Sequence, residues 1–148
     1  MPIKQVTPPE AKAALDANPG AVYLDVRTEM EFAMGHPEGA VNVPVVFPDP
    51  SSGGMRLNPD FVKVVEKVVP RDRTIFCGCQ MGGRSQKAAE ILAQAGYADV
   101  ANVQGGFGGM RDMDGRMVIP GWQAEGLPVS TDTGDAVSYA GLRKKAGL

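Results

Sequence analysis

The sequence is poor in the residues that build most metal sites and disulfide frameworks. It has one histidine, His36, and two cysteines, Cys77 and Cys79, among 148 residues. Zinc sites take their ligands mainly from several cysteines and histidines, so the composition offers no obvious zinc site. Two cysteines separated by one residue do not make a disulfide framework, and they favour a reducing compartment in which thiols do chemistry. We therefore expect a cytoplasmic protein without a metal ion or other cofactor.

Long apolar runs and a large excess of charge of one sign are also missing. No stretch of the sequence is long and apolar enough to span a bilayer, and the N-terminal residues lack the apolar core of a secretory signal. The formal net charge is −2, which argues against nucleic acid or an acidic membrane surface as the main partner. The first predicted strand begins almost at the N-terminus, so we also expect no transit segment.

Short apolar runs alternate regularly with helix signals. Strands are predicted at residues 3–6, 22–26, 41–43, 74–77 and 100–103, and helices at 7–18, 28–35, 58–69 and 85–95. The first two helices open with capping boxes, Thr7 with Glu10 and Thr28 with Glu31. Residues 48–57, rich in proline, serine and glycine, are predicted to form a loop. The alternation predicts an α/β fold, a mostly parallel central sheet flanked by helices on both faces, with ligands bound beyond the carboxyl ends of the strands.

The most informative stretch lies between the fourth predicted strand and the fourth helix. Its residues are Cys79, Gln80, Met81, Gly82, Gly83, Arg84 and Ser85. A thiol at the start of a helix meets unpaired backbone N–H groups and the positive end of the helix dipole, which favour a thiolate. Two glycines let the loop curl so that its N–H groups point at one centre. The pattern predicts an anion-binding nucleophile, and a buried structural cysteine is the plainer alternative.

Together with this loop, a series of motifs resembles the rhodanese (sulfurtransferase) family. The motifs are residues 23–27 with 31–32, then 35–44, 52–61, 105–107, and Trp122 with 126–129. The stretch 52–61 is similar to small single-domain members, including plant plastid forms. Plant relatives would carry a transit segment, so we expect a prokaryotic source. The resemblance covers about residues 3–129.

The resemblance implies a single rhodanese-like domain over residues 1–130 and a C-terminal tail over 131–148. An insertion at about 108–121 separates two aromatic positions that lie close together in the family. The implied reaction moves sulfane sulfur from thiosulfate or a related donor to cyanide or a thiol through a Cys79 persulfide. Residues 80–85 would bind the substrate, and nucleic acid and membranes would not be partners. A protein-dedicated sulfur relay, with a protein acceptor and poor turnover of small molecules, is an alternative, and a phosphatase-like enzyme is a weaker one.

The length of the loop argues for sulfur and against phosphate. Four residues separate Cys79 from Arg84, whereas the pattern of cysteine-dependent phosphatases has five. The shorter loop forms a tighter cradle that suits a persulfide sulfur, while a tetrahedral phosphate needs a wider ring of N–H donors. A phosphatase would also need a general acid, and we expect structural roles for the nearest candidates, His36 and Asp25.

The other polar residues near the loop have expected roles. Arg84 is a candidate for balancing the charge of an anionic donor, with a structural ion pair as the alternative. Ser85 is predicted to cap the helix. Cys77 is predicted to be a buried core thiol, because a disulfide to Cys79 is disfavoured at such short spacing. Asp25 and Arg27 are expected to pair with neighbours and hold loops.

Two segments lie outside the regular alternation. In the insertion, Asp114-Gly115 is a two-residue hairpin signal, so we expect a short hairpin near the mouth of the site. Arg111 and Arg116 would then attract anionic donors, and a flexible surface excursion is the alternative. In the tail, the basic residues 143–145 are predicted to be a solvated terminus.

Overall fold

The computed structural model describes residues 3–148. In chain order its elements are β1 (Lys4–Val6), α1 (Pro8–Ala17), β2 (Val22–Asp25), α2 (Glu29–Met34), β3 (His36–Pro37), β4 (Val41–Asn42), β5 (Val46–Pro48), β6 (Met55–Leu57), α3 (Phe61–Val68), β7 (Ile75–Gly78), α4 (Gly83–Gln94), β8 (Val100–Val103), β9 (Met110–Arg111), β10 (Met117–Ile119), β11 (Val129–Ser130) and α5 (Tyr139–Lys145).

A five-stranded sheet with the order β1-β8-β7-β2-β4 forms the centre of the molecule, and every neighbouring pair in it is parallel. Successive side chains of a strand point to opposite faces. Tyr23 and Phe76 accordingly pack in one apolar cluster with residues of α1 and α2, whereas Leu24 and Cys77 pack in a second cluster with α3, α4 and α5. The predicted α/β fold, with helices on both faces of a parallel sheet, is confirmed.

The parallel arrangement determines where functional residues can lie. The carboxyl ends of all five strands meet at one edge, and β7 is the central strand of the sheet. The residue that follows β7 directly is Cys79. The thiol therefore lies at the sheet edge where ligands bind in folds of this class.

Local sequence signals locate some helix starts and miss others. Both predicted capping boxes are present, with Thr7 and Thr28 each accepting from the backbone N–H three residues on. Helix α4 begins at Gly83 with Gly82 as its N-cap, so the prediction that Ser85 caps this helix is wrong. The longest helix has 12 residues, and no helix within residues 3–148 is long and apolar enough to cross a membrane.

Helix α3 starts later than the sequence predicts, at Phe61. Its N-cap is Asp60, whose side chain makes no capping hydrogen bond. The Asn58 side chain instead accepts from the Asp60 N–H at 2.9 Å, which is an Asx turn preceding the helix. Asn58 and Pro59 therefore lie in the approach to α3 and do not form its first turn.

Two small pairings lie outside the central sheet and were not predicted. Strand β5 pairs with β6 in an antiparallel hairpin, although residues 48–57 were predicted to be a loop. Strand β3 pairs with β11, which connects the segment around His36 to the residues after Trp122. Strands of two or three residues with mixed composition carry too little periodicity to be recognised in a sequence.

The tail is ordered against the domain. Tyr139 and Leu142 of α5 are buried in the apolar cluster that contains α3. Arg143 donates to Asp60 at 3.0 Å, while Lys144 and Lys145 are exposed. The prediction of a solvated basic terminus is therefore wrong for Arg143, because the amphipathic helix brings that side chain onto the start of α3. The division into a domain over 1–130 and a tail over 131–148 stays a prediction.

Candidate active site

The Cys79 sulfur lies at the turn between β7 and α4. The residue is only 2% exposed. Its Sγ accepts a hydrogen bond from the Gly82 N–H at 3.1 Å and lies 3.3 Å from the Ser85 hydroxyl oxygen. Gly82 has a φ of +120°, a conformation that glycine adopts at low cost. The glycine thus allows the turn that directs a backbone donor at the sulfur.

The rest of the loop supplies donors that have no partner in the part of the chain that the structure describes. Within residues 3–148, no carbonyl or side chain accepts from the N–H groups of Gln80, Met81, Gly83, Arg84 and Ser85. Three of these groups belong to the first turn of α4, where N–H groups cannot pair within the helix. Such a helix start attracts anions through its N–H groups and its dipole. Gly82 is the one loop residue whose N–H contacts the sulfur itself.

The segment 105–108 supports the loop from behind. The Phe107 N–H donates to the Cys79 carbonyl at 2.8 Å, and the Gly108 N–H donates to the Gln80 carbonyl at 2.9 Å. A Cβ atom on Gly106 would lie 2.2 Å from the Cys79 carbonyl oxygen. The close approach of the two backbones therefore requires glycine at position 106, and it fixes the position of the nucleophile.

Asp25 and Arg27 form a buried pair beside the loop. The Arg27 guanidinium donates to both carboxylate oxygens of Asp25, to the Gly35 carbonyl at 2.7 Å and to the Gln80 side-chain oxygen at 3.2 Å. It also stacks over the Phe107 ring, 4.6 Å from the ring centroid. A buried charge needs such a set of partners. The expectation that these residues pair with neighbours and hold loops is confirmed.

Arg84 forms a bidentate ion pair with Glu31 of α2, at 2.7 and 2.9 Å. The hydrogen bonds from Arg84 lower the pKa of Glu31 to about 2. The same contact raises the pKa of Arg84, and the nearby Cys79 and Asp25 add to that rise. One carboxylate therefore caps α2 and also connects it to the first turn of α4. The role of Arg84 towards an anionic donor stays a prediction.

Cys77 and His36 have the structural positions expected of them. Cys77 is buried in the apolar cluster on the α3 and α4 side, and burial raises the pKa of its thiol far above the ordinary value. Both cysteines are free. His36 is buried, its Nδ1 lies 2.7 Å from the Phe32 carbonyl, and its ring stacks on the Phe32 ring at 3.6 Å.

The insertion contains a hairpin made of β9 and β10. The Asp112 N–H donates to the Arg116 carbonyl, so the loop has three residues, Met113-Asp114-Gly115, and the predicted two-residue turn is wrong. Gly115 has a φ of +83°, as the last loop residue of a three-residue hairpin requires. The segment starts beside Gly108, which binds the loop at Gln80, so the hairpin emerges next to the site. The attraction of anionic donors by its arginines stays a prediction.

Two polar contacts of the site were missed in the sequence. The Ser85 hydroxyl oxygen lies 2.6 Å from Asn102 Oδ1, and Glu31, recognised as a capping residue and part of a family motif, was not recognised as the partner of Arg84. Asn102 is an amide in the middle of the four-residue strand β8, whose other side chains are apolar. The signal that would have identified Asn102 is a single polar residue in an otherwise apolar strand next to the strand that precedes the candidate nucleophile.

Comparison with known proteins gives consistent matches. The family model described as a rhodanese-like domain matches residues 7–112. Thiosulfate sulfurtransferase 16 of Arabidopsis thaliana is 39% identical over 109 residues, which cover 74% of this chain and 79% of that protein. The thiosulfate sulfurtransferase GlpE of Haemophilus influenzae is 31% identical over 131 residues, covering 88% and 98%. The matches span 51% and 49% of two other plant relatives. The crystal structure of Rv0390 from M. tuberculosis superposes with a TM-score of 0.74 at 32% identity, covering 89% of this chain and 100% of that one.

Proposed function

This chain belongs to the rhodanese-like domain family, and on that premise we propose that it is a sulfurtransferase that works through a persulfide on Cys79. The donor is thiosulfate or a related sulfane-sulfur compound, and the acceptor is cyanide or a thiol. Two of its relatives are named thiosulfate sulfurtransferases. The observation that carries the proposal is the position of the Cys79 sulfur, at the start of α4 and 3.1 Å from the Gly82 N–H.

The reaction has two steps of nucleophilic catalysis. In the first, the Cys79 thiolate attacks the outer sulfur of thiosulfate, the new bond forms between the two sulfurs, and sulfite leaves with the electron pair of the broken bond. In the second, cyanide or a thiolate attacks the outer sulfur of the persulfide, and the electron pair returns to Cys79 Sγ. No net oxidation occurs on the enzyme over the cycle.

The surroundings of the sulfur suit both steps. The unpaired N–H groups of the loop and the dipole of α4 attract the anionic donor and stabilise negative charge on the outer sulfur of the persulfide. The Gly82 N–H donates to Sγ, which stabilises the thiolate before attack and after release. The hydrogen bonds of segment 105–108 hold the loop carbonyls behind the sulfur, so the N–H side faces the substrate.

Mass spectrometry of the intact protein after incubation with thiosulfate tests the proposal. We expect one added sulfur atom, located on Cys79. The Cys79→Ser variant should show neither the adduct nor turnover of thiosulfate and cyanide. Cys77→Ser is the matched control, because Cys77 lies within strand β7, is fully buried and has a thiol pKa raised far above the ordinary value, and it should keep most of both. Loss of turnover in the Cys77 variant alone would overturn the assignment.

A protein-dedicated sulfur relay is the second candidate. Met81 in the loop is 56% exposed, and Met30 and Met34 of α2 are 76% and 81% exposed. Exposed methionine side chains adapt to partner surfaces, which supports a protein donor or acceptor. Steady-state turnover with thiosulfate and cyanide separates the two candidates. A relay would take up sulfur on Cys79 and yet turn over slowly until its protein partner is added.

A further inference from the structure

A line of side-chain hydrogen bonds connects the edge strand β1 to the reacting sulfur. Ser85 Oγ lies 3.3 Å from Cys79 Sγ and 2.6 Å from Asn102 Oδ1. Asn102 Nδ2 donates to Gln5 Oε1 at 2.9 Å, and Gln5 Nε2 donates to Gln86 Oε1 and to the Ile3 carbonyl. Ser85 is fully buried and Asn102 is 4% exposed. The line thus runs from the surface of the sheet edge into the site.

The donor and the acceptor of each hydrogen bond in this line follow from its exposed end, at Gln5. A main-chain carbonyl can only accept, so the Gln5 atom that faces the Ile3 carbonyl is the nitrogen, and Gln5 Oε1 faces Asn102. Two amide oxygens cannot pair, so Asn102 presents its nitrogen to Gln5 and its oxygen to Ser85. The orientation of a buried amide, which is assigned from its hydrogen-bond network, here follows from one backbone carbonyl.

The Ser85 hydroxyl is therefore placed between two acceptors with a single proton to give. The Asn102 oxygen is the closer acceptor, at 2.6 Å. Sulfur becomes a much stronger acceptor when it carries a full negative charge, because charge-assisted hydrogen bonds are about twice as strong as neutral ones. The Ser85 hydroxyl proton is therefore expected to point towards Asn102 when Sγ is neutral and towards Sγ when Sγ is a thiolate.

We propose that Asn102 is a positioning residue that controls, through Ser85, how much hydrogen-bond donation the Cys79 sulfur receives. The hydroxyl donates to Asn102 while Sγ is a neutral thiol or the inner sulfur of a persulfide, and it turns to Sγ when the thiolate forms. Asn102 thereby limits the stabilisation of the thiolate and keeps it reactive, because a more stabilised thiolate is a weaker nucleophile. This inference rests on the proposed function for its purpose, but its geometry does not depend on the substrate.

Other charged and titratable groups also face Cys79, and the test must leave them unchanged. Three groups interact electrostatically with Cys79, namely Arg84 on α4, Tyr23 on β2 and Cys77 on β7, and Arg84 is paired with Glu31 on α2 while the Asp25–Arg27 pair binds the loop at Gln80. The variants that test the proposal alter none of these groups except Cys77, which is replaced by serine throughout so that Cys79 is the one remaining thiol.

The test is the pH dependence of the rate at which iodoacetamide alkylates Cys79. Asn102→Leu keeps a similar volume and removes the competing acceptor, so Ser85 should donate to Sγ permanently and the midpoint of the profile should move to lower pH. We expect the midpoint to lie about 0.5–1 pH unit below that of the Cys77→Ser parent, and the rate at high pH to fall roughly two- to threefold, because a more stabilised thiolate is a weaker nucleophile. Ser85→Ala should move the midpoint to higher pH, and adding Asn102→Leu to it should change nothing further.

Gln5→Leu provides a second variant that leaves the buried residues in place. Gln5 lies on the exposed edge strand β1, so its replacement puts folding at little risk. Without Gln5 Oε1 the Asn102 amide is free to turn and donate to Ser85, which drives the hydroxyl proton towards Sγ. We expect a shift in the same direction as for Asn102→Leu, and no shift when Ser85→Ala is also present.

The outcomes separate this inference from the proposed function. An unchanged profile in both Asn102→Leu and Gln5→Leu would overturn the inference, and so would a shift that persists in the Ser85→Ala background. Neither result depends on sulfur transfer, because alkylation uses only the thiolate of Cys79. Failure to form a persulfide with thiosulfate would instead contradict the proposed function.

Discussion

For Arg84 the sequence indicated a role for its positive charge but not the residue with which it pairs. The position next to the cysteine loop indicated an anion-binding arginine or a structural ion pair. The structure places its guanidinium on both oxygens of Glu31, which the sequence did not indicate because the two residues are 53 positions apart. The ion pair uses two of the five guanidinium N–H donors, so an anionic donor can still be bound by the remainder.

For Arg84→Ala we expect weaker use of thiosulfate with a smaller effect on folding. A hydrogen bond to a charged group contributes roughly 1.5–3 kcal/mol, so kcat/KM should fall by about ten- to a hundredfold. Glu31→Gln is the matched variant, since it leaves the positive charge of Arg84 in place and should keep most of the activity. If both variants lowered Tm equally and neither changed the kinetics, Arg84 would be a structural residue alone.

The lowered pKa of Glu31 predicts how the stability of the protein changes in acid. The pKa of its carboxyl is lowered from the ordinary value of 4.5 to about 2 by the hydrogen bonds from Arg84. Between these two values the unfolded chain binds more protons than the folded one, so stability falls as the pH is lowered from about 4.5 to about 2. Urea denaturation across this range should show a shallower pH dependence for Glu31→Gln. An identical dependence in both proteins would mean that other carboxylates determine it.

At the level of elements, the turn at Gly106 is the point where two backbones approach most closely behind the nucleophile. Gly106→Ala would place a Cβ 2.2 Å from the Cys79 carbonyl oxygen, at a φ of +53°. We expect a loss of stability above the roughly 1–2 kcal/mol of left-handed backbone strain alone, together with a large loss of sulfur transfer because the loop must shift.

Gly115→Ala is the control for this substitution. Gly115 has a φ of +83° but no heavy atom within 4 Å of a Cβ placed there. It therefore carries the backbone strain without the clash, and it should lose stability modestly while keeping its turnover. Thermal unfolding and steady-state kinetics of the two variants separate strain from displacement of the loop. Equal activities would show that the loop tolerates the shift.

The elements that could be predicted are those whose signals are local. Capping boxes at Thr7 and Thr28 located two helices, and a strand followed by a cysteine and two glycines indicated the candidate site. The pairing of β3 with β11, the hairpin of β5 and β6, and helix α5 depend on contacts between distant parts of the chain. Asn102 belongs with them, because its partner Ser85 is known only once β8 lies beside α4. Short elements stabilised by tertiary packing leave little trace in a single sequence.

At the scale of the whole molecule, the parallel sheet brings the polar residues of several strands to one edge. The residues at that edge determine whether the site suits sulfur transfer or phosphate hydrolysis. A phosphatase needs a wider loop and a general acid for the leaving oxygen. Asp25 is buried and bound to Arg27 through both oxygens. His36 is buried against Phe32, with its Nδ1 beside a carbonyl. Neither group is free to deliver a proton at the Cys79 loop.

We therefore expect sulfur transfer and no meaningful hydrolysis of p-nitrophenyl phosphate by the unmodified protein. Inserting one glycine between Gly82 and Gly83 gives the loop the length of the phosphatase pattern. It should lower sulfur transfer, because the Gly82 N–H that donates to Sγ at 3.1 Å loses its place at the start of α4, and any phosphatase activity gained should stay weak without a general acid. Efficient phosphate hydrolysis by the unmodified protein, abolished by Cys79→Ser, would contradict the sulfurtransferase assignment.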